Sequence, residues 1–370
     1  MSTLLISILV LSALILIHEL GHFLAAKLSR IKVEEFGLGL PPRLVVLYDD
    51  GETKYSINLL PIGGFVRLHG ETPDQAVTEP ERSFSNKSIL QRGFVLTAGI
   101  GMNYLLGLLL IAIVIFQLGV PRIQTALQIG EVMPDSPAHQ AGLSSEDLIV
   151  AIKSAETTEF KPIGTEPDHF KNFVDQHVDQ PIEFKILNRQ DLDAGSGKLA
   201  DHTSTVALTP RADPPEGEGA LGITFGVVPL IEYEPVHWVQ VPAASVGLSI
   251  EFVRLMFEGL GGMVRQLAVE GTVPTDVAGP VGIAVIIGDT AKQGLTPLLQ
   301  LTALISINLA VINILPIPAL DGGRLLFLVI EAVTQRKLNP QHEALIHTIG
   351  MIALLILIAA ISLADVRRFF

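Results

Sequence analysis

Four stretches of this chain are too long and too apolar to have water as their solvent. Thr3 to Ala26 carries only His18, Glu19 and His22 as ionisable groups apart from its hydroxyls, while Gly93 to Pro121, Gln293 to Leu320 and Ala344 to Ala364 contain no Asp, Glu, Lys or Arg. Crossing about 30 Å of hydrocarbon takes about 20 mostly apolar residues as an α-helix, which satisfies its own backbone hydrogen bonds there. Over the 370 residues 49% are hydrophobic and the mean hydropathy is +0.48, beyond the range of an ordinary soluble enzyme. The expected fold is a polytopic α-helical membrane protein with four transmembrane helices. A secretory signal peptide is the alternative for the first stretch. No Lys or Arg precedes that run, it is longer than a signal core, and a polar pentad sits where cleavage would begin, so a retained span is the better reading.

Orientation follows from the loops, because Lys and Arg collect on the cytoplasmic side. Lys27 to Arg92 holds nine of them (Lys27, Arg30, Lys32, Arg43, Lys54, Arg67, Arg82, Lys87, Arg92), and none precedes the first stretch. That loop is expected in the cytoplasm with both termini outside; Arg367 and Arg368 oppose this and are outnumbered. The segment from Arg122 to Lys292 is then extracytoplasmic. It holds 24 acidic against 11 basic residues, the same excess as the whole chain's net charge of −13. Acidity concentrated there argues against a nucleic-acid partner. With no cysteine there are no disulfide partners and no thiolate zinc site, so a metal would be held by His and carboxylate.

The expected organisation is a first helix (1–28), a cytoplasmic membrane-associated β loop (29–92), a second helix (93–121), an α+β module (122–212), a linker with amphipathic membrane-surface helices (213–292), a third helix (293–321), a cytoplasmic loop (322–343) and a fourth helix (344–364). In the β loop, Val45 to Tyr48 and Thr53 to Ile57 flank Asp49-Asp50-Gly51 as a hairpin, followed by the glycine-rich run Ile57 to Leu68. The module has β-like runs at Ile129 to Met133, Leu148 to Ile152, Ile182 to Leu187 and Thr205 to Leu208. Ser136-Pro137 starts a short helix that stops at Gly142, Asp191 to Asp201 forms a polar hairpin tip, and Asp213 to Gly219 closes the module. In Pro235 to Leu267, Glu251, Arg254 and Glu258 recur at helical spacing, as on a helix at the membrane face; a fifth span is the less favoured reading.

The chemistry lies in His18-Glu19-Leu20-Gly21-His22. Residues four apart share a helix face, so one metal can touch both imidazoles, with Glu19 beside it as base for a metal-bound water. Each ionisable group at a membrane centre costs about 2.5 to 3.5 kcal/mol on insertion scales, so three together call for a metal or a polar cavity. A catalytic zinc site needs a third protein ligand and an open position. Asp321, after the third stretch in Asn313-Ile314-Leu315-Pro316-Ile317-Pro318-Ala319-Leu320-Asp321-Gly322-Gly323, is the best candidate, since that stretch runs inward and ends at the depth of the histidines. Asp321 also suits a helix N-cap, and the two roles are compatible.

These two motifs together resemble the site-2 protease family of intramembrane metalloproteases, most closely the bacterial regulators of sigma-E type with an extracytoplasmic PDZ domain. Gly99 to Asn103 with Tyr104 is similar to the family's second-span motif, Gly130-Glu131-Val132 through Ala141-Gly142-Leu143 to a PDZ core, and Gly279-Pro280-Val281-Gly282-Ile283 to the stretch before its third span. The resemblance implies Zn2+ on His18, His22 and Asp321, Glu19 as catalytic base, and Asn313 holding the substrate backbone. It implies a β element, with Gly63, Gly64 and Phe65 at its centre, that pairs with unwound substrate. It implies a multi-pass protein of the bacterial inner membrane, with its PDZ-like domain outside and its active site near the cytoplasmic face. Its substrates would be single-span proteins cut within the bilayer after their outer domain is removed, such as anti-sigma factors or leftover signal peptides. The chain departs from some relatives in a single PDZ-like module and in Ser145-Glu146-Asp147 where a Gly-Asp turn is usual, which favours a steric filter over C-terminal peptide capture. A catalytically silent membrane scaffold with a PDZ module is the alternative, and the intact Glu19 argues against it. An ion carrier would need a second set of intramembrane acids.

Overall fold

The computed structural model describes residues 3–72, 77–163, 167–187, 203–270, 279–336 and 339–369. The chain forms two compact units, Met1–Val114 with Val239–Phe370, and the inserted Ile115–Trp238.

In the first unit, α1 (Thr3–Leu28) leads into two long strands, β1 (Val33–Asp49) and β2 (Lys54–Leu68), and then α2 (Ile89–Leu118). After the inserted unit come α5 (Val241–Glu270), α6 (Pro280–Gln293), α7 (Leu295–Ile314), α8 (Asp321–Thr334) and α9 (Pro340–Phe369). Among the described residues, five helices are long and apolar enough to cross a membrane: Thr3–Leu28, Ile89–Leu118, Trp238–Gln266, Leu295–Ile314 and Gln341–Arg368. Four cover the apolar stretches; the fifth, Trp238–Gln266, lies where a surface helix is expected, so among the described residues five helices meet the length and apolarity of a span where four are expected. The interrupting charges misled the sequence reading. Arg254 pairs with Glu258 one turn on at 2.8 Å, and Val246, Ile250, Leu255, Phe257 and Val264 are exposed around the same helix. Exposed leucines and isoleucines also run along α9, a surface suited to lipid rather than water.

Packing inside this unit rests on close helix approaches. Leu14 of α1, Ile287 of α6 and Ile305 of α7 form one buried cluster; Ala25, Ala26, Ile31, Val33, Leu68 and Val95 form another that joins α1, the sheet and α2. A Cβ on Gly21 would overlap the Ala98 backbone, so glycine here lets the α1 and α2 backbones touch. At the turn, Asp50 Oδ1 accepts from the Glu52 and Thr53 amides. The two strands bend, and Phe36 therefore pairs with both Val66 and Tyr55. Glu35, 2% exposed, accepts hydrogen bonds from Arg43 and from Ser56 at 2.7 Å, clipping the outer half of β1 to the inner half.

The inserted unit is an α+β fold with its apolar side chains inside. Its strands are β3 (Val120–Val132), β4 (Leu148–Ser154), β5 (Lys161–Pro162), β6 (Ile182–Leu187), β7 (Thr203–Leu208) and β8 (Ile223–Glu234), with α3 (Pro137–Gln140) and α4 (Pro167–Gln176) between them. The antiparallel order is β7-β6-β4-β3-β8, with β5 beside β4. Leu127, Ile129, Ile149, Phe170, Val174 and Phe184 centre its core, and Ser136 caps α3 by accepting from the His139 amide at 3.2 Å. The sequence reading ends this module at residue 212. The structure continues it, because β8 pairs with β3 from Val120↔Glu234 to Val132↔Ile223; a glycine and a proline among its apolar residues made that strand look like linker. The expected hairpin tip Asp191 to Asp201 lies outside the described residues.

Candidate metal centre

His18 and His22 sit on one face of α1, and Asp321 is the first residue of α8. Asp321 Oδ2 lies 3.0 Å from His18 Nε2 and 3.3 Å from His22 Nε2, and the two Nε2 atoms are 3.0 Å apart. Four-coordinate zinc with bonds of about 2.0 to 2.1 Å holds its ligands about 3.4 Å apart, so the three separations, 3.0 to 3.3 Å, lie within a few tenths of an ångström of the edges of such a polyhedron. Asp321 Oδ2 is buried and has hydrogen-bond geometry to neither ring. Three lone-pair atoms converging in this way fit a cation. His22 Nδ1 lies 2.8 Å from the Val95 carbonyl; donating there leaves its Nε2 lone pair turned to the centre.

Why Asp321 reaches this point follows from the chain before it. Pro316 and Pro318 lack the amide donors that would continue α7, and the segment after Ile314 turns through tight bonds from Ile317 N to Leu315 O (2.7 Å) and Leu320 N to Ile317 O (3.2 Å). Ala319 has φ +80°, a left-handed conformation seldom adopted by a residue with a Cβ and concentrated at functional sites. Its amide donates to His347 Nδ1 at 3.0 Å. Gly322 then packs where a Cβ would overlap the carbonyls of Ile314 and Leu315. Leu320, not Asp321, is the N-cap of α8, so the Asp321 carboxylate is given to the imidazoles.

The other expected site residues gather to different degrees. Glu19, Phe65 and Asn313 line one cavity of about 1080 Å³ together with His18, His22 and Asp321. Gly64 lies against Glu19: a Cβ built on it would be 3.4 Å from Glu19 Cγ. Gly63 is buried with φ +90° and is not part of the cavity wall. Sequence reasoning missed the charged far wall, where Arg92 pairs with Glu331 at 2.7 Å and Arg324 pairs with Glu71. Arg324 comes one helical turn after Asp321, and that spacing was the available signal.

A family description, peptidase family M50, matches residues 6–357. This chain belongs to peptidase family M50. It is 29% identical to the zinc metalloprotease RasP of Geobacillus kaustophilus over 98% of this chain and 97% of the relative. It is 33% identical to a putative zinc metalloprotease of Clostridium acetobutylicum over 98% and 96%. It is also 32% identical to the chloroplastic membrane metalloprotease ARASP of Arabidopsis thaliana over 90% and 72%. As an M50 chain it is a metallopeptidase of the site-2 protease type with several apolar helices, a multi-pass membrane protein, and zinc is its expected cofactor.

Proposed function

We propose that this M50 peptidase is an intramembrane endopeptidase in which His18, His22 and Asp321 hold zinc and Glu19 is the catalytic base. The observation that carries the reading is the convergence of the Asp321 carboxylate, roughly 300 positions later in the chain, on two imidazoles carried by a helix apolar enough to cross a membrane. The chemistry that bound zinc supplies is a water acidified toward neutrality and a polarised carbonyl. Glu19 takes the proton of the attacking water at its carboxylate and delivers it to the leaving amine.

A helical peptide bond is shielded by its own hydrogen bonds, so a substrate has to be drawn out before it is cut. Gly64 and Phe65 pair with Leu38 and Gly37 on one side only among the described residues, and Gly64 borders Glu19. This supports addition of the substrate as a further strand at that edge, with Asn313 in the cavity wall hydrogen-bonded to its backbone. The substrates are single-span membrane proteins whose outer domain is already gone. The antiparallel sheet with α3 and α4 supports a PDZ-like reading of the inserted unit, and its acidic, soluble character supports an extracytoplasmic steric filter in a bacterial inner membrane.

The test is the position of the cut. Detergent-solubilised enzyme and a single-span protein lacking its outer domain should yield fragments whose new ends, read by mass spectrometry, fall inside the apolar segment. Cleavage confined to the soluble flanks contradicts the proposal.

A further inference from the structure

We infer that Asn103 is a positioning residue for the metal centre, fixing the tautomer and orientation of the His18 ligand; this rests on the zinc reading of the site above. Asn103 lies on α2 and is 1% exposed. Its side-chain Nδ2 lies 3.3 Å from His18 Nδ1, the ring nitrogen opposite the one that faces Asp321 and His22, and a half-turn of the amide exchanges Nδ2 for Oδ1 at that place.

Two features of the amide fit this role. Its Oδ1 is buried with no hydrogen-bond partner, and a buried carbonyl oxygen left unpaired costs about 1 to 3 kcal/mol. With the amide turned so that Oδ1 meets the ring, Nδ1–H donates to it. The orphaned acceptor is then satisfied, and the Nε2 lone pair is left for the metal. A ligating histidine regularly places its second N–H on an acceptor, which fixes the tautomer and raises ligand basicity. His22 already meets that condition through the Val95 carbonyl at 2.8 Å, and Asn103 is the matching acceptor for His18. The backbone that carries this amide is held from the far side. Ser306 of α7, fully buried, donates to the main-chain carbonyl of Asn103 at 2.7 Å, so α7 fixes the turn of α2 that carries the side chain.

An acceptor is required rather than an amide as such, so carboxylate should replace it and an apolar side chain should not. Zinc affinity is measured on full-length protein in detergent by competition with a chromophoric chelator, for wild type, Asn103→Leu and Asn103→Asp, with helix content by circular dichroism alongside. Asn103→Leu should weaken zinc binding by about 10–100-fold, and Asn103→Asp should bind within a few-fold of wild type. Zinc held as tightly by a folded Asn103→Leu, or as weakly by Asn103→Asp as by the leucine variant, would overturn the role of Asn103 while the zinc site stands. Wild type that binds no zinc would overturn the site itself. Asn103→Ala replaces the leucine variant if that does not fold.

Discussion

The two units bury opposite things. The inserted unit places Phe170, Phe184 and Ile149 at its centre. The first unit exposes Leu, Ile and Val along α5 and α9 and turns His18, His22, Asn103 and Asp321 toward one another. In water the apolar side chains supply the driving force for folding; against lipid they supply none between helices, and close backbone contact and polar pairing take over. One unit is therefore sensitive to lost volume and the other to lost polar partners and added Cβ atoms.

The largest expected effect breaks the polar side. Asp321→Ala removes the only carboxylate of the triad and should leave less than a tenth of the wild-type zinc, measured by atomic absorption, with cleavage abolished and the inserted sheet intact by limited proteolysis. Next, Phe184→Ala opens a cavity in the inserted unit and should destabilise that unit by about 3 to 5 kcal/mol in denaturant titrations, with zinc stoichiometry unchanged. Loss of zinc in that variant would erase the distinction between the units.

A smaller change sharpens the comparison. Burial pushes the Glu35 carboxyl up, but hydrogen bonds from Arg43 and Ser56 and the charges of Arg43 and Arg67 outweigh it and hold Glu35 below the ordinary value of 4.5. A lowered folded value means its stabilisation is complete above 4.5 and fades as pH falls through the folded value. Glu35→Gln should thus destabilise the β1–β2 sheet by about 2 kcal/mol at neutral pH, by hydrogen exchange, with the gap to wild type closing in acid.

How much of this was legible in the sequence depended on range. His18 and His22 are readable because helical geometry fixes what four residues of separation mean, and Asp321 because the charge balance of the loops put it at the same depth. Asn103 facing His18 and Val95 facing His22 depend on the rotation of α2 against α1, which is set by the contact of Gly21 with Ala98 and leaves no periodic trace. Strand β8 was hidden for a related reason: its partner β3 lies some 100 residues earlier, and pairing of that range is specified by the sheet rather than by the strand. The length and apolarity of Trp238–Gln266 were masked by its interrupting charges, of which Arg254 and Glu258 pair with each other.

The most direct measurement compares wild type with Glu19→Gln, purified in detergent, for zinc content and for cleavage of a single-span substrate. Both proteins should hold about one zinc, because the role proposed for Glu19 is base rather than ligand, and cleavage should fall by about 10²–10⁴-fold in the variant. Undiminished cleavage by Glu19→Gln, or a wild-type protein that cleaves without zinc, would contradict the account.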